Sequence, residues 1–143
     1  MSQETSWIPC VFELASEVGK VVCTPQEVAV KENVPNIALT YTLTAPTLKG
    51  SRRLHLSGVI VGITKADPAN PITRIQVRGV RLDSVQVLWE DNNRHGNPFK
   101  FQAGFPPIDC SGWDAVKVVV NATTSAQPLA ARVGFVSVQG TYY

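Results

Sequence analysis

Asn36-Ile37-Ala38-Leu39-Thr40-Tyr41-Thr42-Leu43-Thr44 alternates without a break. Ile37, Leu39, Tyr41 and Leu43 fall on one side, and Ala38, Thr40, Thr42 and Thr44 on the other. Side chains of a strand point to opposite faces in turn, so this period of two is the mark of a strand with one face in a core and one in water. Pro35 and Pro46 bracket it, and neither suits a strand interior.

The same pattern spreads in both directions. Arg52 to Thr64 begins as an alternation, Leu54 and Leu56 against Arg53, His55 and Ser57, and passes Gly58 into Val59-Ile60-Val61-Gly62-Ile63. Both faces are apolar there, which predicts a bulge or bend at Gly58 and a strand covered on both sides beyond it. Ala66-Asp67-Pro68-Ala69-Asn70-Pro71 is a turn by composition. After it, Ile75 and Val77 oppose Arg74, Gln76 and Arg78, and Val85, Val87 and Trp89 share one predicted core phase. The polar run Glu90 to Pro98 is the most loop-like segment. A short strand at Phe99 to Gln102 and two last strands, Asp114 to Asn121 and Ala131 to Tyr142, follow it, with further short segments at Cys10 to Leu14, Val18 to Cys23 and Glu27 to Val30.

No stretch carries apolar residues at helical spacing. Eight to ten short strands joined by proline and glycine loops predict an all-β chain, a single jelly-roll-like antiparallel β-sandwich. The expected organisation is an amino-terminal arm over residues 1–9 and one sandwich domain over 10–143. At 143 residues, 44% hydrophobic and 17% charged, the chain is long enough to bury a core without staples and too apolar to be disordered. Its apolar runs are too short to span a bilayer as a helix. The start, Met1 to Ser6, lacks the basic and apolar regions of a secretory signal.

Cys10, Cys23 and Cys110 are odd in number and have no metal-ligand spacing, so no disulfide framework is expected and a reducing compartment suits them. Cys10 and Cys23 lie in apolar stretches and read as buried hydrophobes, with Cys110 slightly more open. The sequon Asn121-Ala122-Thr123 reads as a chance match at a strand end.

The formal net charge of +2 conceals a divided chain. Residues 1–48 carry Glu4, Glu13, Glu17, Glu27 and Glu32 against Lys20 and Lys31, a balance of −3. Residues 49–81 carry Lys49, Arg52, Arg53, Lys65, Arg74, Arg78 and Arg81 against Asp67, a balance of +6, and the rest sums to −1. Arg53, His55, Arg74 and Arg78 fall on outward phases, which predicts a basic surface.

No catalytic constellation is legible. His55 and His95 sit in no motif, and nothing in the spacing joins Cys110 and His95 into a nucleophile–base pair. Glu90, Asp91, Asp109 and Asp114 are explained by turns. Glu90-Asp91-Asn92-Asn93 lacks the periodicity of a calcium loop, and no phosphate loop is present. A non-enzymatic protein with no cofactor is expected. Nucleic acid is not favoured as a partner, because the outward phases carry few aromatic platforms. Trp89 and Trp113 read as core or contact residues, whereas Trp7 lies in the arm beside Ile8.

Gly79 to Asn92, Phe105-Pro106-Pro107 and Ile108 to Val116 together resemble a pattern of small bacteriophage and viral structural proteins, in which a strand ending in Asp-Asn leads through a proline loop to a Ser-Gly-aromatic turn. The resemblance spans about a quarter of the chain. It implies a virion shell, decoration or tail subunit, made in the host cytoplasm, with other copies or other virion subunits as partners. The expected contact residues are Trp7, Ile8, Arg53, His55, Arg74, Arg78, Tyr142 and Tyr143, with an acidic arm packing on a neighbour's basic face. The alternative reading is a carbohydrate-binding, lectin-like module using the Glu90 to Pro98 loop and a tryptophan.

Overall fold

A computed structural model describes residues 5–13 and 19–143. Among them lie eleven strands and no helix: β1 (Thr5–Phe12), β2 (Val21–Cys23), β3 (Val28–Val30), β4 (Ile37–Leu43), β5 (Leu48–Lys49), β6 (Arg52–Lys65), β7 (Ile72–Arg81), β8 (Ser84–Asp91), β9 (Phe99–Asp109), β10 (Ala115–Ala122) and β11 (Ala131–Tyr142). All pairings are antiparallel. One layer runs β2-β3-β11-β6-β9 and the other β1-β4-β10-β7-β8. The predicted all-β sandwich is the fold found.

β1 belongs to both layers. Thr5 to Pro9 pair with Thr141 to Ser137 of β11, and Cys10 to Phe12 pair with Leu43 to Tyr41 of β4. The change of partner falls at Pro9, which has no N–H to donate to a ladder but whose carbonyl still accepts from Thr44. Residues 5–9 are therefore sheet and not a free arm. Their ladder partner is β11 of this same chain.

The core takes in the inward phases read from the sequence for β4, β7 and the start of β6, and adds those of β6 beyond Gly58 and of β10. Ile37, Leu39, Tyr41 and Leu43 of β4 meet Leu54, Leu56, Val59, Val61 and Ile63 of β6, with Ile75 and Val77 of β7 and Val116, Val118 and Val120 of β10, all buried. The β6–β9 ladder slips between Leu56 and Gly58, as the glycine predicts. Near this bulge an added Cβ on Gly58 would meet the Ala103 carbonyl at 3.1 Å. The sharp β5–β6 turn uses Gly50 at φ 64°, a conformation that only glycine adopts without penalty.

Two inward assignments need correction. The β7–β8 ladder slips between Val77 and Arg78, where Leu88 is an extra residue, so Trp89 stays opposite Val77 on the core side while Val87 is opposite Arg78. One extra residue inverts every side chain beyond it, and Val85 and Val87 are exposed. Cys23 is also exposed, because β2 is a three-residue edge strand in which only Val21 reaches the core. Cys110 is fully buried and Cys10 half-buried, and burial pushes both thiols up to about 12.

Tyr41 carries the one buried side-chain polar atom without a hydrogen-bond partner among the described residues, its phenol oxygen. Burial, with a smaller contribution from Cys23, holds the phenol's pKa above its ordinary value. A hydroxyl desolvated without compensation costs about 1–3 kcal/mol. Tyr41→Phe is accordingly expected to leave stability unchanged or raise it by about 1 kcal/mol, measured as the urea midpoint; a loss of that size would show that the hydroxyl has a partner.

Candidate binding site

The outer face of the β4-β10-β7-β8 layer is built from the phases the sequence leaves polar. Register places Thr42, Lys117 and Arg78 in one row across it, with Thr40, Val119, Gln76 and Glu90 in the next and Ala38, Asn121 and Arg74 in a third. Although this is the solvent side, Gln76 and Asn121 are only 3% and 5% exposed, so their amides need partners within the protein. They have them. The Arg78 Nε donates to Gln76 Oε1 at 2.8 Å, and Gln76 Nε2 donates to Glu90 Oε2 at 3.1 Å. Asn92 donates to the other oxygen of Glu90. The Arg74 Nε donates to Asn121 Oδ1 at 3.3 Å, and Asn121 Nδ2 donates to Asn36 Oδ1 at 3.5 Å.

At the end of the face this network surrounds a polar pocket of about 250 Å³ lined by Asn36, Thr73, Arg74, Asn92 and Asn121. Each residue comes from a different strand or strand end, apart from the neighbours Thr73 and Arg74. The β10–β7 ladder runs Asn121 opposite Arg74 and then Ala122 opposite Ile72, so Thr73 is the extra residue of a bulge. Bulges turn a side chain out of the regular alternation, here beside the pocket. Three carboxamides, a hydroxyl and a guanidinium thus meet on a scaffold held by ladder hydrogen bonds on two sides of β10. Asn92 and Gln76 hold the Glu90 carboxyl below its usual range, and Arg74 and Arg78 add to the effect.

A larger concavity of about 440 Å³ opens where β1 leaves β11 for β4, between Phe12, Tyr41, Val28 and Phe135. It is chiefly apolar, a seam left by the crossing strand. The smaller pocket is the better site for a polar ligand because its donors and acceptors converge.

The residues singled out from sequence do not form one surface. Arg53, His55, Tyr142 and Tyr143 gather at one end of the β6–β11 pair, where Arg53 lies 3.6 Å from Asp109, Tyr143 meets the His55 ring edge-on at 4.6 Å and the Tyr142 hydroxyl donates to the Pro46 carbonyl. Ile8 packs against the core and Trp7 is partly exposed on β1. Arg74 and Arg78 lie on the other layer. Two acids of the amino-terminal segment pair within the chain, with cations from beyond the basic segment: Glu13–Lys117 at 2.8 Å and Glu27–Arg132 at 3.1 Å.

Of the other candidates, Asp91 binds His95 Nε2 at 2.7 Å, whereas Cys110 is buried with its thiol toward the Ile108 carbonyl and has no contact with His95. Among the described residues no three His, Cys, Asp or Glu side chains gather as a metal site. The tryptophan expected at the loop is elsewhere: Trp89 stacks on Phe105 at 5.5 Å between the layers, and Trp113 lies beneath the Arg81 guanidinium at 4.5 Å. Of the Glu90 to Pro98 loop, Asn92 reaches the pocket. Sequence reasoning missed Asn36, Thr73 and Asn121. The available signal was Asn36 and Asn121 on the polar phases at the ends of β4 and β10, strands that turn out to be neighbours. Buried and bonded, Asn121 is not presented as a glycosylation acceptor.

No family model matches the chain, and no curated protein matches it. Among solved structures it resembles chitosan-binding module 1 of a chitosanase/glucanase from Paenibacillus sp. IK-5, with 13% identity, a TM-score of 0.50 and coverage of 96% of this chain and 92% of that one. A selenomethionine-labelled valine-to-methionine variant of that module gives 12% identity, a TM-score of 0.51 and coverage of 97% and 93%. At these identities the likeness is one of fold. Both of these neighbours are carbohydrate-binding modules and not virion proteins, which overturns the expected shell, decoration or tail subunit. The residues behind that expectation are turn chemistry: Asp109 Oδ1 accepts the Ser111 N–H at 2.9 Å, a local turn that any antiparallel sandwich can use.

Proposed function

We propose that this chain is a non-catalytic carbohydrate-binding module whose ligand seats in the pocket of Asn36, Thr73, Arg74, Asn92 and Asn121. The observation that carries the reading is the donor set itself. A sugar presents adjacent hydroxyls that each donate and accept, and a carboxamide offers both functions on one planar group. Three such groups with a hydroxyl and a guanidinium suit a polyhydroxylated ring better than an apolar ligand. The pocket's small volume suits one or two rings at a chain end or branch. The fold shared with chitosan-binding modules supports the same reading.

A glycan array probed with the purified protein, followed by titration of any hit, tests it. Thr73→Ala and Asn92→Ala remove one partner each from the rim, and a lost hydrogen bond of about 0.5–1.5 kcal/mol predicts a loss of roughly twofold to tenfold in affinity per substitution. An array silent for folded protein, or binding unchanged in both variants, would overturn the assignment.

A further inference from the structure

We infer that the pocket prefers a sugar bearing a carboxylate over a neutral or amino sugar, with the Arg74 fork as its anchor. The inference rests on the glycan reading and adds the class of sugar. Arg74 is half-buried, and its one hydrogen bond among the described residues runs through Nε to Asn121. That bond orients the planar group while leaving both terminal nitrogens without a partner among those residues. A guanidinium presented in this way matches the two oxygens of a carboxylate, which an ammonium or hydroxyl cannot reproduce.

The charge around the pocket points the same way. Its five lining residues include one cation and no acid. The nearby carboxylate, Glu90, is held by Gln76 and Asn92 and faces both Arg74 and Arg78, so two cations share one anion. Arg78 registers this excess. Its pKa is lowered first by burial and then by the charge of Arg74, with Glu90 opposing. A second carboxylate entering with a ligand would balance the pair, whereas the ammonium of a glucosamine unit would be repelled with no acid in the lining to receive it. Asn36, Asn92 and Thr73 remain for the ring hydroxyls.

Calorimetric titration with galacturonic acid trimer, galactose trimer and glucosamine trimer at low salt tests the inference. The wild-type protein is expected to bind the galacturonate trimer at least tenfold more tightly than the galactose trimer and to bind the glucosamine trimer most weakly. Arg74→Gln should abolish the preference, costing the galacturonate trimer at least tenfold more affinity than it costs the galactose trimer. Arg74→Lys, which keeps the charge without the fork, should recover part of it; it also supplies the answer should Arg74→Gln fail to fold. Arg53→Gln, on the other layer, should change nothing. Neutral or amino trimer bound as tightly as the acidic one, or an acidic preference that survives Arg74→Gln, would overturn the inference and leave the glycan reading intact. Binding of no sugar here or on the array would overturn both.

Discussion

Leu39→Ala is expected to cost about 2–5 kcal/mol of stability, the range for deleting a buried leucine side chain that its surroundings cannot refill. Leu39 is 0% exposed at the middle of β4, which is flanked by β10 on one side and by β1 on the other. The β10 ladder runs through Leu39 and β1 pairs the end of β4 from Tyr41 on, which holds the backbone against collapse into the void. Against a total stability of about 5–15 kcal/mol for a typical domain, such a loss is large. Urea denaturation followed by circular dichroism should show the midpoint falling by roughly 1–2 M with an unchanged slope. Leu82→Ala is the control: Leu82 is 93% exposed in the β7–β8 turn, and its removal should stay within about 0.5 kcal/mol. A Leu39→Ala loss no larger than the control's would contradict the placement of β4 between β1 and β10 with Leu39 in the core.

Gly79→Ala is expected to destabilise by about 1–3 kcal/mol, although alanine for glycine in a strand is ordinarily neutral or favourable. The reason is Trp113. A Cβ at Gly79 would stand 2.4 Å from Cδ2 and 2.6 Å from Cε2 of the indole, far inside contact distance. The ring has little freedom to retreat. Its main chain is held by the Trp113 N–H donating to Cys110 at 3.1 Å and by Thr47 Oγ1 donating to its carbonyl at 3.0 Å. Arg81 covers its other face and donates through Nε to the Gly112 carbonyl at 2.6 Å. Displacement of the indole should also red-shift its fluorescence. Gly104→Ala, whose Cβ would meet only the Ser57 carbonyl at an ordinary 3.8 Å, should be tolerated and leave the spectrum unaltered. Equal behaviour of the two variants would mean that Gly79 is not the seat of Trp113.

These two predictions mark how unevenly the molecule is legible from its residues. The role of Leu39 follows from the alternation Ile37, Leu39, Tyr41, Leu43, which is local and survives translation into structure unchanged. The role of Gly79 does not. Sequence reasoning allows a bend there, but the reason for glycine is a ring 34 residues away that only the β7–β10 pairing brings over it. The β8 phase was misread for a related reason: Val85, Val87 and Trp89 alternate with Ser84, Gln86 and Glu90, and only the pairing with β7 shows that Leu88 is an extra residue that inverts Val85 and Val87.

The pocket shows the same division. Asparagines at strand ends are common, because their side chains make turns, and nothing local sets Asn36 and Asn121 apart. Their meaning appears once β4, β10 and β7 lie side by side and the Thr73 bulge turns the end of β7 toward them. The amino-terminal segment, read as an arm from its exposed tryptophan and flanking proline, is a strand because β4 and β11 each leave it an edge to pair with.

The sequence by itself determined the all-β class, the core phases of β4, β7 and the start of β6, and the bulge at Gly58. Those properties depend on the order of apolar and polar residues over a few positions, and the alternation of a strand carries that order straight into a buried face. Strand order, the crossing of β1 between layers, the inverted phase of β8 and the convergence of Asn36, Thr73, Arg74, Asn92 and Asn121 were decided only by the tertiary structure. They depend on which strands pair and in what register, and pairing is a choice among distant partners that no short stretch of sequence encodes.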